Sequence, residues 1–122
     1  MNRMCRLSLL VTLLLLAIVA RAGSDAGHGE PVSTETIVID VRTPSEFADG
    51  HLTHALNLDF RSAQFRDSIE AFDRGNVYVL YCRSGNRAEQ AKQMMDRMGF
   101  KQVRNMGGVK EASKILGLEI IK

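Results

Sequence analysis

Two stretches, Ile37-Val38-Ile39-Asp40-Val41 and Val77-Tyr78-Val79-Leu80-Tyr81, are near-continuous β-branched, aliphatic and aromatic runs without apolar-polar alternation. A strand of that kind is covered on both faces, which is the condition of a parallel sheet, and parallel neighbours need crossover segments between them. The rest of the chain supplies those segments. Thr43-Pro44-Ser45-Glu46 offers an N-cap, a proline at the first helical position and a capping-box acid three residues after the cap, so a short helix starts at Pro44 and stops at Gly50. Ala55 to Leu58 reads as a short strand, and Ser62 to Phe72 places Phe65, Ile69 and Phe72 at helical spacing before a turn at Gly75-Asn76. From Arg87 onward, Ala88, Ala91, Met94, Met95 and Met98 form one apolar stripe closed by Gly99. Gln102 to Asn105 reads as a last strand, and Gly107-Gly108 turns the chain into a final helix through Ile115. The expectation is an α/β fold with a mostly parallel central sheet flanked by helices on both faces, in a single domain over residues 32–122.

Ahead of that domain, Arg3 and Arg6 precede an almost wholly apolar run of 14 residues, Leu7 to Ala20, and Ala20-Arg21-Ala22 sets small residues where a signal peptidase reads. A membrane-spanning helix needs about 20 apolar residues, so residues 1–22 read as a cleaved signal peptide, residues 23–31 as a flexible leader, and the mature protein as periplasmic with no membrane partner. Cleavage leaves 13 basic against 14 acidic side chains. That balance, with no basic run carrying interleaved aromatics, excludes nucleic acid as a partner.

Cleavage also removes Cys5 and leaves Cys82 as the only cysteine, so no internal disulfide is available to an exported domain. A lone cysteine is most often a small buried hydrophobe. Here its neighbours point elsewhere. Cys82 ends a strand and the next residues open a helix, so backbone N–H groups without intrahelical partners converge near its sulfur. Those donors, the positive helix end and the cations Arg83 and Arg87 all favour thiolate over thiol. Gly85 permits a positive φ and close backbone approach, while Ser84 and Asn86 are placed to cap the helix or bond a bound group.

Four motifs stand in order along the chain: Val38-Ile39-Asp40-Val41-Arg42-Thr43-Pro44-Ser45-Glu46-Phe47, Gly50-His51-Leu52 with Ala55-Leu56-Asn57-Leu58, Tyr81-Cys82-Arg83-Ser84-Gly85-Asn86-Arg87-Ala88, and Gly99-Phe100 followed by Met106-Gly107-Gly108. Together they resemble the rhodanese domain of sulfurtransferases, and in particular its small exported single-domain members of the phage-shock type. The resemblance implies a thiosulfate sulfurtransferase with Cys82 as nucleophile and no cofactor. Sulfur passes from thiosulfate or a similar small donor to cyanide, a small thiol or a protein thiol through a Cys82 persulfide. Arg83, Ser84, Gly85, Asn86 and Arg87 would then bind the donor, and Asp40 would help fix the active loop by hydrogen bonds. Asp40 otherwise pairs with Arg42, and Arg42 with Glu46 reads as a structural ion pair beside the capping box.

The chain departs from the family at His54, which stands where a glycine is usual, and in having no tryptophan after the final Gly-Gly, where Val109 and Lys110 stand. His51 and His54 have no third ligand within reach in sequence, and Met94, Met95 and Met98 are spaced for core packing, so no metal site is expected. A cysteine phosphatase shares the idea of a cysteine at an anion nest followed by arginine, but it places five residues between the two where Cys82 and Arg87 enclose four. A sulfur carrier serving one protein partner, or a binding module that keeps the fold without turnover, remains as an alternative.

Overall fold

The computed structural model describes residues 35–122. The signal peptide, the leader and the start of the domain at Val32 fall outside the described residues. The elements are β1 (Thr36–Asp40), α1 (Pro44–Asp49), β2 (His51–Leu52), β3 (Leu56–Asn57), α2 (Phe65–Glu70), β4 (Val77–Cys82), α3 (Asn86–Arg97), β5 (Gln102–Gly108), α4 (Val109–Leu116) and β6 (Ile120–Ile121). The main sheet runs β3-β1-β4-β5 with every pair parallel, and β2 pairs with β6 antiparallel in a separate ribbon.

The apolar runs are continuous because both faces are buried, and residue parity sorts them. On one face Ile39 and Val41 lie with Tyr78, Leu80 and Cys82 against Phe65 and Ile69 of α2 and Ala88, Ala91 and Met95 of α3. On the other, Val38, Val79 and Tyr81 pack with Leu52 and with Ala112 of α4. Helices on both faces are thus as the sequence predicts. Of the α3 methionines, Met95 is fully buried and Met94 and Met98 pack against the same cluster. Tyr78 illustrates how the core accommodates a polar atom: its ring meets Phe100 edge-on at 5.2 Å while its hydroxyl donates to the Asp73 carbonyl at 2.6 Å.

The helix at Pro44 forms with the predicted capping box, Thr43 Oγ1 accepting from Glu46 N and the Glu46 carboxylate accepting from Thr43 N. The strand at Ala55 to Leu58 is shorter than predicted, only Leu56–Asn57, and the helix begins at Phe65 because Ser62 to Gln64 form turns. Gly107 and Gly108 belong to β5, which runs three residues past Asn105, and α4 starts directly at Val109. The β2–β6 ribbon was not foreseen, since two residues per strand are too few to show a period.

His54 has φ 67, alone among the described non-glycine residues in the left-handed region. The place where the resembling family carries glycine is therefore a turn with a glycine conformation. His51 is structural: its ring stacks on Phe47 at 3.6 Å and its Nδ1 lies 2.9 Å from the Phe47 carbonyl. Among the described residues no three His, Cys, Asp or Glu side chains are grouped to hold a metal ion, and no helix is long and apolar enough to cross a membrane.

Candidate active site

Cys82 is the last residue of β4, 1% exposed, at the carboxyl end of the parallel sheet where such folds open their ligand crevice. Its chain reverses through Arg83-Ser84-Gly85 into α3, and Gly85 makes the reversal at φ 93. The Gly85 N–H donates to Cys82 Sγ at 2.9 Å. Burial pushes the thiol up, but the backbone N–H groups of Ala88, Ser84, Gly85 and Arg87 together outweigh it, so its pKa lies below the ordinary thiol value.

The loop is braced from β5. Asn105 Nδ2 donates to the Gly85 carbonyl at 2.9 Å and to Glu89 at 3.2 Å, while its Oδ1 accepts the Gly107 N–H at 2.9 Å. Gly108 packs so closely that a Cβ there would stand 2.6 Å from the Arg83 carbonyl oxygen. The strand after the loop therefore helps to shape it, a role the sequence does not announce because it depends on backbone proximity rather than on a motif.

The ion pairs differ from the expected one. Arg42 does not pair with Glu46. Its guanidinium meets Asp40 instead, Nη2 to Oδ2 at 2.6 Å and Nε to Oδ1 at 3.0 Å, with Nη2 also donating to the Gly50 carbonyl at 2.6 Å. Asp40 also accepts the Arg42 amide at 2.9 Å. The Asp40 carboxylate thus accepts hydrogen bonds from Arg42, not from the active loop, and Arg42, held by it, ties the end of β1 to Gly50 at the end of α1. Asp40, two residues away against four for Glu46, is the anion that Arg42 meets.

Glu46 turns the opposite way and clasps Arg87, Nη1 to Oε2 at 2.8 Å and Nη2 to Oε1 at 3.0 Å, joining α1 to the first turn of α3. This two-point geometry suits arginine and carboxylate. The Arg87 guanidinium, and after it the amide and hydroxyl of Thr43, hold the Glu46 carboxyl down to about 2 against the opposing effect of burial. The same carboxylate also closes the capping box, while the ion pair with Arg42 expected from sequence is replaced by this one with Arg87.

A cavity of about 420 Å³ opens over the loop. Arg83, Ser84, Asn86 and Arg87 line it from the loop side, and Thr43, Glu46 and Arg61 close it from the segments after β1 and β3. Gly85 lies buried beneath, its amide given to the sulfur. Of the residues singled out by sequence, Arg83, Ser84, Asn86 and Arg87 line the cavity, Cys82 and Gly85 lie buried under the loop, and Asp40 stands one step removed. Glu46, Arg61 and Asn105 were missed. A thiolate held by backbone donors under a cation-lined opening is equipped to attack an anionic electrophile.

A model of the rhodanese-like domain matches residues 26–114. The chain belongs to the rhodanese-like family. Thiosulfate sulfurtransferase PspE of Escherichia coli is 31% identical over 81 residues, covering 66% of this chain and 78% of its own. A solved structure described as rhodanese with anions from E. coli superposes with a TM-score of 0.61 at 27% identity, over 72% of this chain and 99% of that one. These relatives support sulfurtransferase activity, with small sulfur donors and acceptors. The family is broader than one reaction: tRNA uridine(34) hydroxylase of Buchnera aphidicola is 34% identical over 80 residues, 61% of this chain but 24% of that protein.

Proposed function

We propose that the protein is a thiosulfate sulfurtransferase working through a Cys82 persulfide. The observation that carries this reading is the Cys82 sulfur, buried at a strand end yet held toward thiolate by the Gly85 amide and its neighbours. In the first step the Cys82 thiolate attacks the outer sulfur of thiosulfate, a new S–S bond forms, and the old S–S bond breaks with its electron pair leaving on sulfite. Charge balances, because thiolate and the thiosulfate dianion become persulfide anion and the sulfite dianion. In the second step cyanide or a thiolate attacks the outer persulfide sulfur and regenerates the Cys82 thiolate. No separate base is required, since the nucleophile enters ionised.

The amides that hold the thiolate also hold the terminal sulfur of the persulfide, whose charge lies in the same concavity. Arg83, Ser84 and Asn86 face the donor in the cavity above, and Arg87, clasped to Glu46, sets the position of the loop. The apolar run at Leu7 to Ala20 and the small residues after it support export to the periplasm.

The test is the intact mass of the purified protein after thiosulfate treatment, with and without a reductant, beside Cys82→Ser. A gain of one sulfur, reversed by reductant and missing from the variant, is the expected result. No gain in protein whose thiol is free and reactive overturns thiosulfate as donor.

A further inference from the structure

The charges around the cavity are unevenly distributed. Arg61, Arg83 and Arg87 line it together with one carboxylate, Glu46. Glu46 is fully engaged with Arg87 by two short bonds, so that cation is neutralised where it stands. Neither Arg61 nor Arg83 has an acidic partner within salt-bridge distance among the described residues, and both are exposed. Arg61 and Arg83 thus bring to the opening over the Cys82 loop two positive charges that no carboxylate clasps, the neighbouring Asp59 carboxylate being turned to the Arg61 amide.

Arg61 is brought there by a firmly held segment. Leu58 N donates to the Asp40 carbonyl and Phe60 N to the Val41 carbonyl, which pins the chain after β3 to the end of β1. Asn57 Nδ2 adds bonds to the Asp40 and Arg42 carbonyls at 3.1 and 2.9 Å. The Phe60 ring packs edge-on to Phe65 at 5.3 Å, and Asp59 Oδ1 accepts the Arg61 amide at 2.9 Å. The backbone of Arg61 is thereby fixed while its side chain is left to reach over the cavity.

Resting on the sulfurtransferase reading above, we infer that Arg61, with Arg83, binds the anionic end of the donor, and that Arg87 positions the loop instead of binding substrate. The site then selects a dianionic donor, since two cations that no carboxylate clasps are matched by two negative charges. Thiosulfate fits that requirement better than a thiosulfonate or an organic persulfide carrying one charge. Arginine also offers paired N–H donors to sulfonate oxygens, so geometry as well as charge favours it.

The test compares thiosulfate with benzenethiosulfonate, a single-charge donor that gives up its outer sulfur to the Cys82 thiolate with benzenesulfinate as leaving group. Arg61→Ala is expected to raise KM for thiosulfate about tenfold with kcat little changed, and KM for benzenethiosulfonate by roughly threefold or less. Arg61→Lys should recover much of the loss. An unchanged KM for thiosulfate, or equal losses with both donors, overturns the inference. A protein that accepts sulfur from neither donor sinks the sulfurtransferase reading separately. In that case calorimetric binding of thiosulfate to Cys82→Ser decides for Arg61: about tenfold weaker binding with Arg61→Ala added supports the site, and equal or absent binding in the two proteins refutes it.

Discussion

Glu46→Gln isolates the clasp between α1 and the active loop. Glutamine keeps the length of the side chain and serves equally at the third position of a capping box, so the helix at Pro44 should retain its cap. What is lost is the countercharge of Arg87, whose side chain is 12% exposed against 30% for Glu46. Fully exposed pairs contribute under about 1 kcal/mol, and breaking a buried one costs about 3–5 kcal/mol. A pair of intermediate burial with two-point geometry falls between, at about 2 kcal/mol, or about 10 °C in Tm for a domain of this size. The sign with pH is fixed by the lowered carboxyl. The contribution is complete above pH 4.5 and is lost as pH falls toward about 2, so the difference between wild type and Glu46→Gln should close over that interval. Cys82 should move the other way. Arg87 attracts the thiolate, so removing the competing carboxylate lowers the thiol pKa further. Thermal unfolding and the ultraviolet absorbance of the thiolate against pH read the two effects. An unchanged Tm at neutral pH, or a thiol pKa that rises, would refute the reasoning.

Gly108→Ala drives a Cβ to 2.6 Å from the Arg83 carbonyl oxygen, so the loop must shift; a stability loss of about 1–3 kcal/mol should accompany a larger fall in kcat, measured by unfolding and turnover on the same samples. Equal turnover would mean that the loop tolerates displacement. His54→Gly relieves a left-handed backbone at φ 67 and should raise stability by about 0.5–1 kcal/mol, whereas a clear loss in denaturant unfolding would assign the imidazole an unrecognised packing role. For Cys82, burial raises and four amides lower the pKa to a net decrease, so the alkylation rate against pH should rise with its midpoint below the ordinary thiol value; a midpoint at or above that value would contradict the amide cradle.

The sheet and its two helical layers were legible because Ile37 to Val41 and Val77 to Tyr81 are long enough to carry a pattern and because Thr43 to Glu46 is a local signal with a local cause. The Cys82 loop was legible for the same reason: a strand end, a glycine and a helix start adjoin in sequence. The partners of Arg42 and Glu46 were not. Each charge had two opposite charges nearby in sequence or space, and only the direction of the chain after β1 sends Arg42 back to Asp40 and Glu46 across to Arg87, 41 residues away. Arg61 and Asn105 carry no local mark at all. Their places follow from pairing between β3 and β1 and between β4 and β5.

The sulfur of Cys82 is gripped by main-chain N–H groups, which every residue but proline supplies. Selection on such a loop acts on its path more than on its lettering. The side chains of Ser84 and Asn86 bear on the donor, whereas the grip on sulfur follows the curve through Gly85 and the pressure of Gly108 on Arg83, so loops of different spelling should still cradle sulfur, and a loop of the same spelling on a misplaced β5 should not.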